Sequence, residues 1–131
     1  MNGHIPVPEE TDRIAKMVVD AIFRVHTTLG PGLLESVYQK CLVHELGLRK
    51  IKCKEQVEVP IIYDTVRIEA GLRLDVLVED CIILELKACE QYSPVFEAQL
   101  LTYLKLTGHR LGLLINFNVP TIKQGIKRII L

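Results

Sequence analysis

The fold is decided by one stretch of the chain: Leu72-Arg73-Leu74-Asp75-Val76-Leu77-Val78, then Glu79-Asp80, then Cys81-Ile82-Ile83-Leu84-Glu85-Leu86-Lys87. On either side of Glu79-Asp80, apolar residues occupy most positions instead of alternating with polar ones. Such runs are typical of strands that are covered on both faces of a sheet. The sequence therefore predicts two adjacent buried strands with two acids and a lysine inside them.

The acids are the least expected residues in these strands. Nine residues separate Asp75 from Glu85, and Lys87 follows two positions later. A buried carboxylate costs several kcal/mol unless it is paired, hydrogen-bonded or bound to a metal. Two carboxylates that converge on a divalent cation, with an ammonium beside them, would offset that cost.

The spacing also restricts how the two strands pair. A two-residue turn at Glu79-Asp80 would set Asp75 and Glu85 on opposite faces of the sheet, so that no common metal could bind. A shared site requires either a β-bulge or a three-residue loop, Glu79-Asp80-Cys81, with Val78 opposite Ile82. Asp75 then lies opposite Glu85 with Lys87 on the same face, and a helix covers the other face, formed by Leu74, Val76, Leu84 and Leu86.

Around this stretch the chain predicts helices first and strands later. Helical periodicity covers about Glu10 to Leu29 and about Leu33 to Leu46, with Gly47 as a C-cap. Strands are predicted over Val57–Tyr63, interrupted by Pro60, and Val66–Glu69, with a bulge at Gly71. A helix from Pro94 to Gly108 and a buried strand over Leu111–Phe117 follow, and the tail is a final strand or a short helix. The order αα-βββ-α-β predicts an α/β fold, a mixed sheet with helices on both faces.

Length and composition predict one domain and restrict its class. We expect a loose leader over residues 1–9 and a folded domain over residues 10–131. Sixteen basic and sixteen acidic residues leave no net charge, which disfavours a general nucleic-acid coat protein. Four cysteines without a CxxC pair, no signal pattern and no membrane-spanning run predict a cytoplasmic protein with reduced thiols and no membrane partner.

Several motifs, taken in order, resemble one family. Residues 32–38 fit Gly-x-x-Glu-x-x-Tyr, the pattern of the GxxExxY family of the PD-(D/E)XK nuclease superfamily. The similarity covers roughly residues 13–131 and implies a restriction-endonuclease-like fold. It rests also on Val25-His26-x-x-Leu29-Gly30-Pro31-Gly32, Glu85-Leu86-Lys87-Ala88, Glu97-Ala98-Gln99-Leu100-Leu101-x-Tyr103-Leu104, Thr107-Gly108 and Gly112-Leu113-Leu114-Ile115-Asn116-Phe117.

The resemblance, with the chemistry of the residues, implies a Mg²⁺-dependent or Mn²⁺-dependent phosphodiesterase that acts on nucleic acid, DNA rather than RNA. Asp75, Glu85 and the Leu86 carbonyl would hold the metal, because hard cations take oxygen ligands. Lys87 would act on the attacking water or the phosphate, and Glu35 would reach a water or a second metal. The resemblance makes Gln99 and Tyr103, four apart on one helix face, an accessory pair.

Other interpretations of the same residues stay open. Gln99 and Tyr103 are also compatible with packing, and Glu35 with an ordinary helix surface. Tyr38 is expected in the core with its hydroxyl satisfied, and His26 as a buried, hydrogen-bonded histidine. The rival function is a non-catalytic binding or scaffold domain. The sequence has no recognisable reader of bases, so specificity would come from a partner protein, a homodimer or nucleic-acid structure.

Overall fold

In the computed structural model, which describes residues 5–131, the chain forms one α/β domain. Its helices are α1 (Glu9–Leu29), α2 (Glu35–Leu48) and α3 (Pro94–Thr107). Its strands are β1 (Cys53–Tyr63), β2 (Val66–Val78), β3 (Ile82–Lys87), β4 (Leu111–Asn116) and β5 (Ile126–Ile130), and a short 3₁₀ helix, Ile122–Gly125, precedes β5. The tail therefore contains both of the elements that were predicted as alternatives.

The five strands form one mixed sheet in the order β1-β2-β3-β4-β5. β3 and β4 are parallel, and the other neighbouring pairs are antiparallel. The parallel pair is connected through α3, as a parallel connection requires a crossover. The predicted mixed sheet is confirmed.

Helices cover both faces of the sheet, as predicted. On one face, α1 and α2 bury Val18, Ile22 and Leu42 against Val76, Leu84 and other strand residues. On the other face, α3 buries Leu100 and Leu104 against Ile83 and Leu114. The central strands are apolar on both sides because both sides are packed.

The connection between β2 and β3 has the register that a shared acid site requires. Val78 pairs with Ile82, Leu77 with Ile83 and Val76 with Leu84. Glu79, Asp80 and Cys81 form the loop; Glu79 and Asp80 have φ of 49° and 55°, and the Cys81 N–H donates to the Val78 carbonyl at 2.9 Å. Of the two predicted alternatives, the three-residue loop is the one that the structure contains.

The prediction for Leu74 was wrong. Leu74 packs with Leu72 and Leu77 on the α3 face, whereas Val76 packs on the α1 and α2 face. Two residues that are two positions apart thus face opposite sides, so the alternation of β2 breaks at Asp75. Gln56, which lies opposite Asp75 if the β1–β2 register is continued, has φ 49°, so both strands are irregular at this point.

The predicted strands Val66–Glu69 and Leu72–Val78 are one strand, with an irregularity where a bulge was predicted. The β1–β2 register changes between Val59, paired with Leu72, and Ile61, paired with Ile68. Pro60 lies at the change, where its missing N–H is not needed for the ladder. A Cβ on Gly71 would come within 2.5 Å of the Ile61 side chain, which explains the glycine.

The boundaries of α2 differ from the prediction at both ends. The helix begins at Glu35 instead of Leu33, since the 30–32 break continues through Leu34. It passes Gly47 and ends at Leu48, and Lys50, with φ 60°, makes the left-handed turn expected of Gly47. The turn comes later because Leu46 and Ile51 are both buried, and the Ile51 N–H donates to the Leu46 carbonyl at 3.0 Å.

The ends of α1 and α3 agree closely with the prediction. Ser93 caps α3 by accepting the Val95 N–H, Pro94 occupies its first turn, and the helix ends at Gly108 with φ 79°. Of the predicted leader, residues 1–4 lie outside the described residues, and Val7 is partly buried against the main core. Within residues 5–131, no helix combines the length and apolar character that a membrane crossing requires.

Candidate active site

The candidate site lies where β2 and β3 separate. Their ladder ends at Val76 and Leu84, and beyond it the two carboxylates take over the hydrogen bonding. The Asp75 N–H donates to Glu85 Oε2 at 2.9 Å, and the Leu86 N–H donates to Asp75 Oδ2 at 2.8 Å. Each strand therefore places its acid against the backbone of the other, which brings the two carboxylates to the same point of the sheet.

Burial and like charge make this pair electrostatically costly. Glu85 is only 5% exposed, and burial raises its pKa to about 8, with the charge of Asp75 as the next cause. Burial likewise raises the pKa of Asp75, although the Leu86 N–H and the charges of Lys87 and Arg73 oppose the rise. The pair is an environment in which a cation would be stabilising.

Lys87 extends from β3 towards the first turn of α3. Its Nζ lies 4.6 Å from the centroid of the Phe96 ring, a cation–π distance. Its charge opposes the raised pKa values of Glu35, Asp75 and Glu85. The ammonium therefore lies within electrostatic reach of all three acids.

Glu35 approaches the pair from the start of α2. It keeps contact with solvent, yet partial burial raises its pKa and the charge of Asp75 raises it further. Tyr38 holds this helix start: its hydroxyl donates to the Gly30 carbonyl at 2.6 Å and accepts the Leu33 N–H at 3.1 Å. Tyr38 is fully buried, and its ring stacks on Phe117 with 4.4 Å between centroids, as expected of a core tyrosine.

His26 is a buried, hydrogen-bonded histidine, as predicted. It is 6% exposed, and its Nε2 lies 2.9 Å from the Val119 carbonyl oxygen. This contact joins α1 to the loop after β4. His26 thus has a structural position, and within residues 5–131 no hydrogen bond connects its side chain to the acid pair.

The two α3 residues of the prediction occupy different positions. Tyr103 is half-buried, and its pKa is raised by burial and then by the charges of Glu85 and Asp75, so it lies within electrostatic reach of both acids. Gln99, one turn earlier, is exposed, and among residues 5–131 no hydrogen bond connects its side chain to the site. The structure thus gathers Glu35, Asp75, Glu85, Lys87 and Tyr103, and leaves Gln99 at the margin.

The donor set fits a hard cation that keeps much of its water. Between residues 5 and 131, no three His, Cys, Asp or Glu side chains lie close enough to form an all-protein metal site. The buried oxygen pair of Asp75 and Glu85 meets the lower requirement of Mg²⁺, which is commonly held by one or two carboxylates plus waters. Leu86, whose N–H bonds Asp75, lies within the same pair of strands.

Sequence reasoning missed two residues beside Lys87. Phe96 falls within the predicted helix Pro94–Gly108 and Asn116 within the predicted strand Leu111–Phe117, and neither was predicted to take part in the site. Phe96 contacts the Lys87 ammonium, and Asn116 pairs with Lys87 in the parallel β3–β4 register. Their positions in the sequence could have indicated them. The first turn of a crossover helix, which contains Phe96, and the end of the next parallel strand, which contains Asn116, both lie near the end of β3.

Comparison with known proteins agrees with the geometry. The family model of the PD-(D/E)XK nuclease superfamily matches residues 12–129, which is nearly the whole domain. No curated protein and no solved structure gives a significant match. With its mixed sheet, its two facing carboxylates and the lysine after Glu85, the chain belongs to the PD-(D/E)XK nuclease superfamily.

Proposed function

We propose that this protein is a metal-dependent phosphodiesterase that cleaves nucleic acid, DNA in preference to RNA, and that it is a member of the GxxExxY group. One observation carries the proposal: the carboxylates of Asp75 and Glu85 each accept a backbone N–H of the opposite strand, and the Lys87 ammonium is within electrostatic reach of both. The superfamily membership supports the same chemistry.

Each residue has a proposed role that follows from its position. Asp75, Glu85 and the Leu86 carbonyl would hold Mg²⁺ or Mn²⁺, which when bound lowers the pKa of a water and stabilises charge on the phosphate. Lys87 would orient the attacking water or neutralise charge on the phosphate. Glu35 would accept a hydrogen bond from a water beside the pair, and the Tyr103 hydroxyl would donate one towards the phosphate. Gln99 would contact the substrate from the outer turn of α3.

The decisive experiment follows the conversion of supercoiled plasmid to nicked and linear forms in Mg²⁺ or Mn²⁺. We expect wild type to cleave and Lys87→Ala to lose cleavage while its Mn²⁺ affinity, measured by calorimetry, is unchanged. Lys105→Ala is the matched control, since Lys105 is an exposed lysine of α3 without an ion pair among the described residues. A Lys87→Ala variant that cuts at the wild-type rate contradicts the proposed role.

The metal site is tested separately from cleavage. We expect Asp75→Asn and Glu85→Gln to weaken Mn²⁺ binding in calorimetry, because each removes one charged oxygen ligand. Asp64→Asn, an exposed residue of the turn between β1 and β2, should leave the affinity unchanged. Unchanged affinity in both site variants would rule out this pair as the metal ligands.

The accessory residues should matter less than Lys87. Tyr103→Phe and Gln99→Ala are expected to lower the rate by about tenfold to a thousandfold, the span between an orienting group and a transition-state donor. The larger effect is expected for Tyr103, since its pKa responds to the charges of Glu85 and Asp75. If Gln99→Ala leaves the rate unchanged, Gln99 has no accessory role, and the roles of the other residues are unaffected.

The rival function, a binding or scaffold domain without catalysis, is distinguished by the same assays. Binding of DNA without any cut product in either metal would favour it. Matched DNA and RNA strands decide the preferred nucleic acid, and light scattering decides whether a homodimer forms. A partner protein that supplies specificity and a cytoplasmic location remain part of the proposal.

A further inference from the structure

A cleft of about 360 Å³ opens beside Lys87. It is bounded by the segment after β3, the first turn of α3, the loop after β4 and the start of β5. Its volume lies within the ~300–1,000 Å³ of small-molecule sites. Because Lys87 lines the cleft, anything bound there lies next to the group that would meet the phosphate.

The walls of the cleft are held by internal hydrogen bonds. The Asn116 side chain accepts the Cys89 N–H at 3.2 Å and the Asn118 N–H at 3.1 Å, and donates to the Cys89 carbonyl at 3.0 Å. The His26 contact with the Val119 carbonyl connects the loop after β4 to α1. The segments on either side of the cleft are therefore fixed to each other before any ligand binds.

One wall presents two aromatic rings and two ammonium groups. Tyr92 and Phe96 meet edge to face, with 5.9 Å between centroids and 85° between planes. Lys87 lies over Phe96, and Lys127 lies 4.7 Å from the Tyr92 centroid. Tyr92 is 41% exposed, so its ring is accessible to a ligand. Exposed aromatic rings can stack with bases, and ammonium groups attract phosphates. Glu90 is the one acid among the described residues that line the cleft. Lys127 is ion-paired with Glu97 at 3.2 Å, and the Tyr92 hydroxyl donates to the same carboxylate. Lys87 is therefore the ammonium of this wall that has no ion pair within residues 5–131.

The loop after β4 and the 3₁₀ helix supply uncommitted amides. Asn118 and Gln124 line the cleft, and in the described part of the chain no hydrogen bond engages either side-chain amide. Such amides donate and accept at once, which is what the edge of a base requires. Rings and free amides in one cleft form a surface for a planar group with polar edges.

We propose that this cleft binds one unpaired nucleotide of the strand that is cut, with its base stacked on Tyr92 and its polar edge towards the amides of Asn118 and Gln124. The inference rests on the proposed function, since it places the neighbouring phosphate at Lys87. A base enclosed in a cleft has left the stack of a duplex. The substrate class is therefore single-stranded nucleic acid, or a strand with an unpaired end, in preference to intact duplex.

The test measures binding without divalent metal, by fluorescence anisotropy of short labelled strands in EDTA. Three probes are compared: a mixed-sequence single strand, a strand of equal length that lacks bases, and the matching duplex. Wild type is expected to bind the complete strand about 5-fold to 160-fold more tightly than the abasic one, from ~1–3 kcal/mol per stacked base. Tyr92→Ala and Gln124→Ala should reduce this ratio, whereas Tyr63→Ala, at the exposed end of β1, should keep it.

Equal affinity of wild type for the complete and abasic strands, tighter binding of the duplex, or an unchanged ratio in both cleft variants would overturn the inference. Melting temperatures of the variants check that the fold is retained. Cleavage of the labelled single strand in Mn²⁺ is scored separately: cleavage with no base preference contradicts only the cleft assignment. Base preference without cleavage removes only the phosphodiesterase.

Discussion

Glu85 couples the chemistry of the site to the stability of the protein. Its pKa is about 8 in the folded protein against 4.5 for an ordinary glutamate, so folding favours its protonated form. Stability from this group is complete below about pH 4.5 and is lost as the pH rises through about 8. The raised pKa values of Asp75 and Glu35 act in the same direction.

We predict that the free energy of unfolding of the metal-free protein falls between about pH 5 and pH 8, by up to ~1.4 kcal/mol per pH unit from Glu85. Urea denaturation in EDTA at a series of pH values measures it. Glu85→Gln should flatten the profile, and Glu58→Gln, an exposed residue of β1, should leave it unchanged. Stability that increases over this range would contradict the burial argument.

The Phe96 ring is expected to position Lys87. Phe96→Leu keeps an apolar side chain but removes the ring 4.6 Å from the ammonium, and should lower the cleavage rate roughly threefold to thirtyfold, matching ~0.5–2 kcal/mol. Phe96→Tyr should retain the rate. Steady-state kinetics with Mn²⁺ calorimetry separates this effect from metal binding, which neither variant should alter. A rate that falls equally in both variants would point to packing instead.

At the scale of the elements, the start of α2 depends on one hydroxyl. Tyr38→Phe keeps the stack on Phe117 but leaves the Gly30 carbonyl and the Leu33 N–H without this partner. We expect a loss of ~1–3 kcal/mol in unfolding free energy, the cost of unsatisfied buried polar groups. Tyr63→Phe, on a residue that is 75% exposed, is the matched control and should change little. Equal stability of Tyr38→Phe and wild type would contradict this.

Substitution by alanine should change the stability in opposite directions at two glycines. A Cβ on Gly112 would lie 2.8 Å from Leu100 Cδ1, whereas one on Gly47 meets nothing within 4 Å. Gly112→Ala should therefore destabilise by ~1–3 kcal/mol through overpacking, and Gly47→Ala should stabilise α2 by ~0.5–1 kcal/mol. Thermal melts of both variants measure the contrast. A stabilised Gly112→Ala would show that α3 moves freely over β4.

The elements themselves were largely predictable because each depends on local rules. Helical spacing, Pro94 and Gly108 defined helix ends, and the acid spacing defined the β2–β3 register. The face of Leu74 was not predictable, since the break in β2 comes from carboxylates of two strands replacing the ladder. The prediction that α2 ends at Gly47 was wrong for a related reason. The burial of Leu46 and Ile51, a tertiary effect, determines where the chain turns.

For the whole molecule, the charge repulsion between Asp75 and Glu85 lowers the stability of the metal-free domain. Asp75→Asn removes one charge beside Glu85 while an amide oxygen can still accept the Leu86 N–H. We expect higher unfolding free energy than wild type in EDTA at pH 8, measured by urea denaturation. Asp64→Asn should show no such gain. A destabilised Asp75→Asn would mean that its hydrogen bond outweighs the repulsion.

The prediction of the candidate site from sequence stopped at the motif. Asp75, Glu85 and Lys87 could be found because buried acids at this spacing are unusual in any strand. Phe96, Asn118 and Gln124 could not, because an aromatic residue or an amide outside a motif is ordinary at any position. Only the packing of α3 and the loop after β4 around the end of β3 brings them to Lys87.

The hydrogen bonds that replace the ladder between β2 and β3 have a spectroscopic consequence. The amide protons of Asp75 and Leu86 are shielded by side chains, while those of typical strand residues are shielded by carbonyls. Their deuterium exchange and their NMR chemical shifts therefore follow the ionisation and position of the two carboxylates. Two backbone signals thus act as native reporters of the state of the site, readable without any substrate or label.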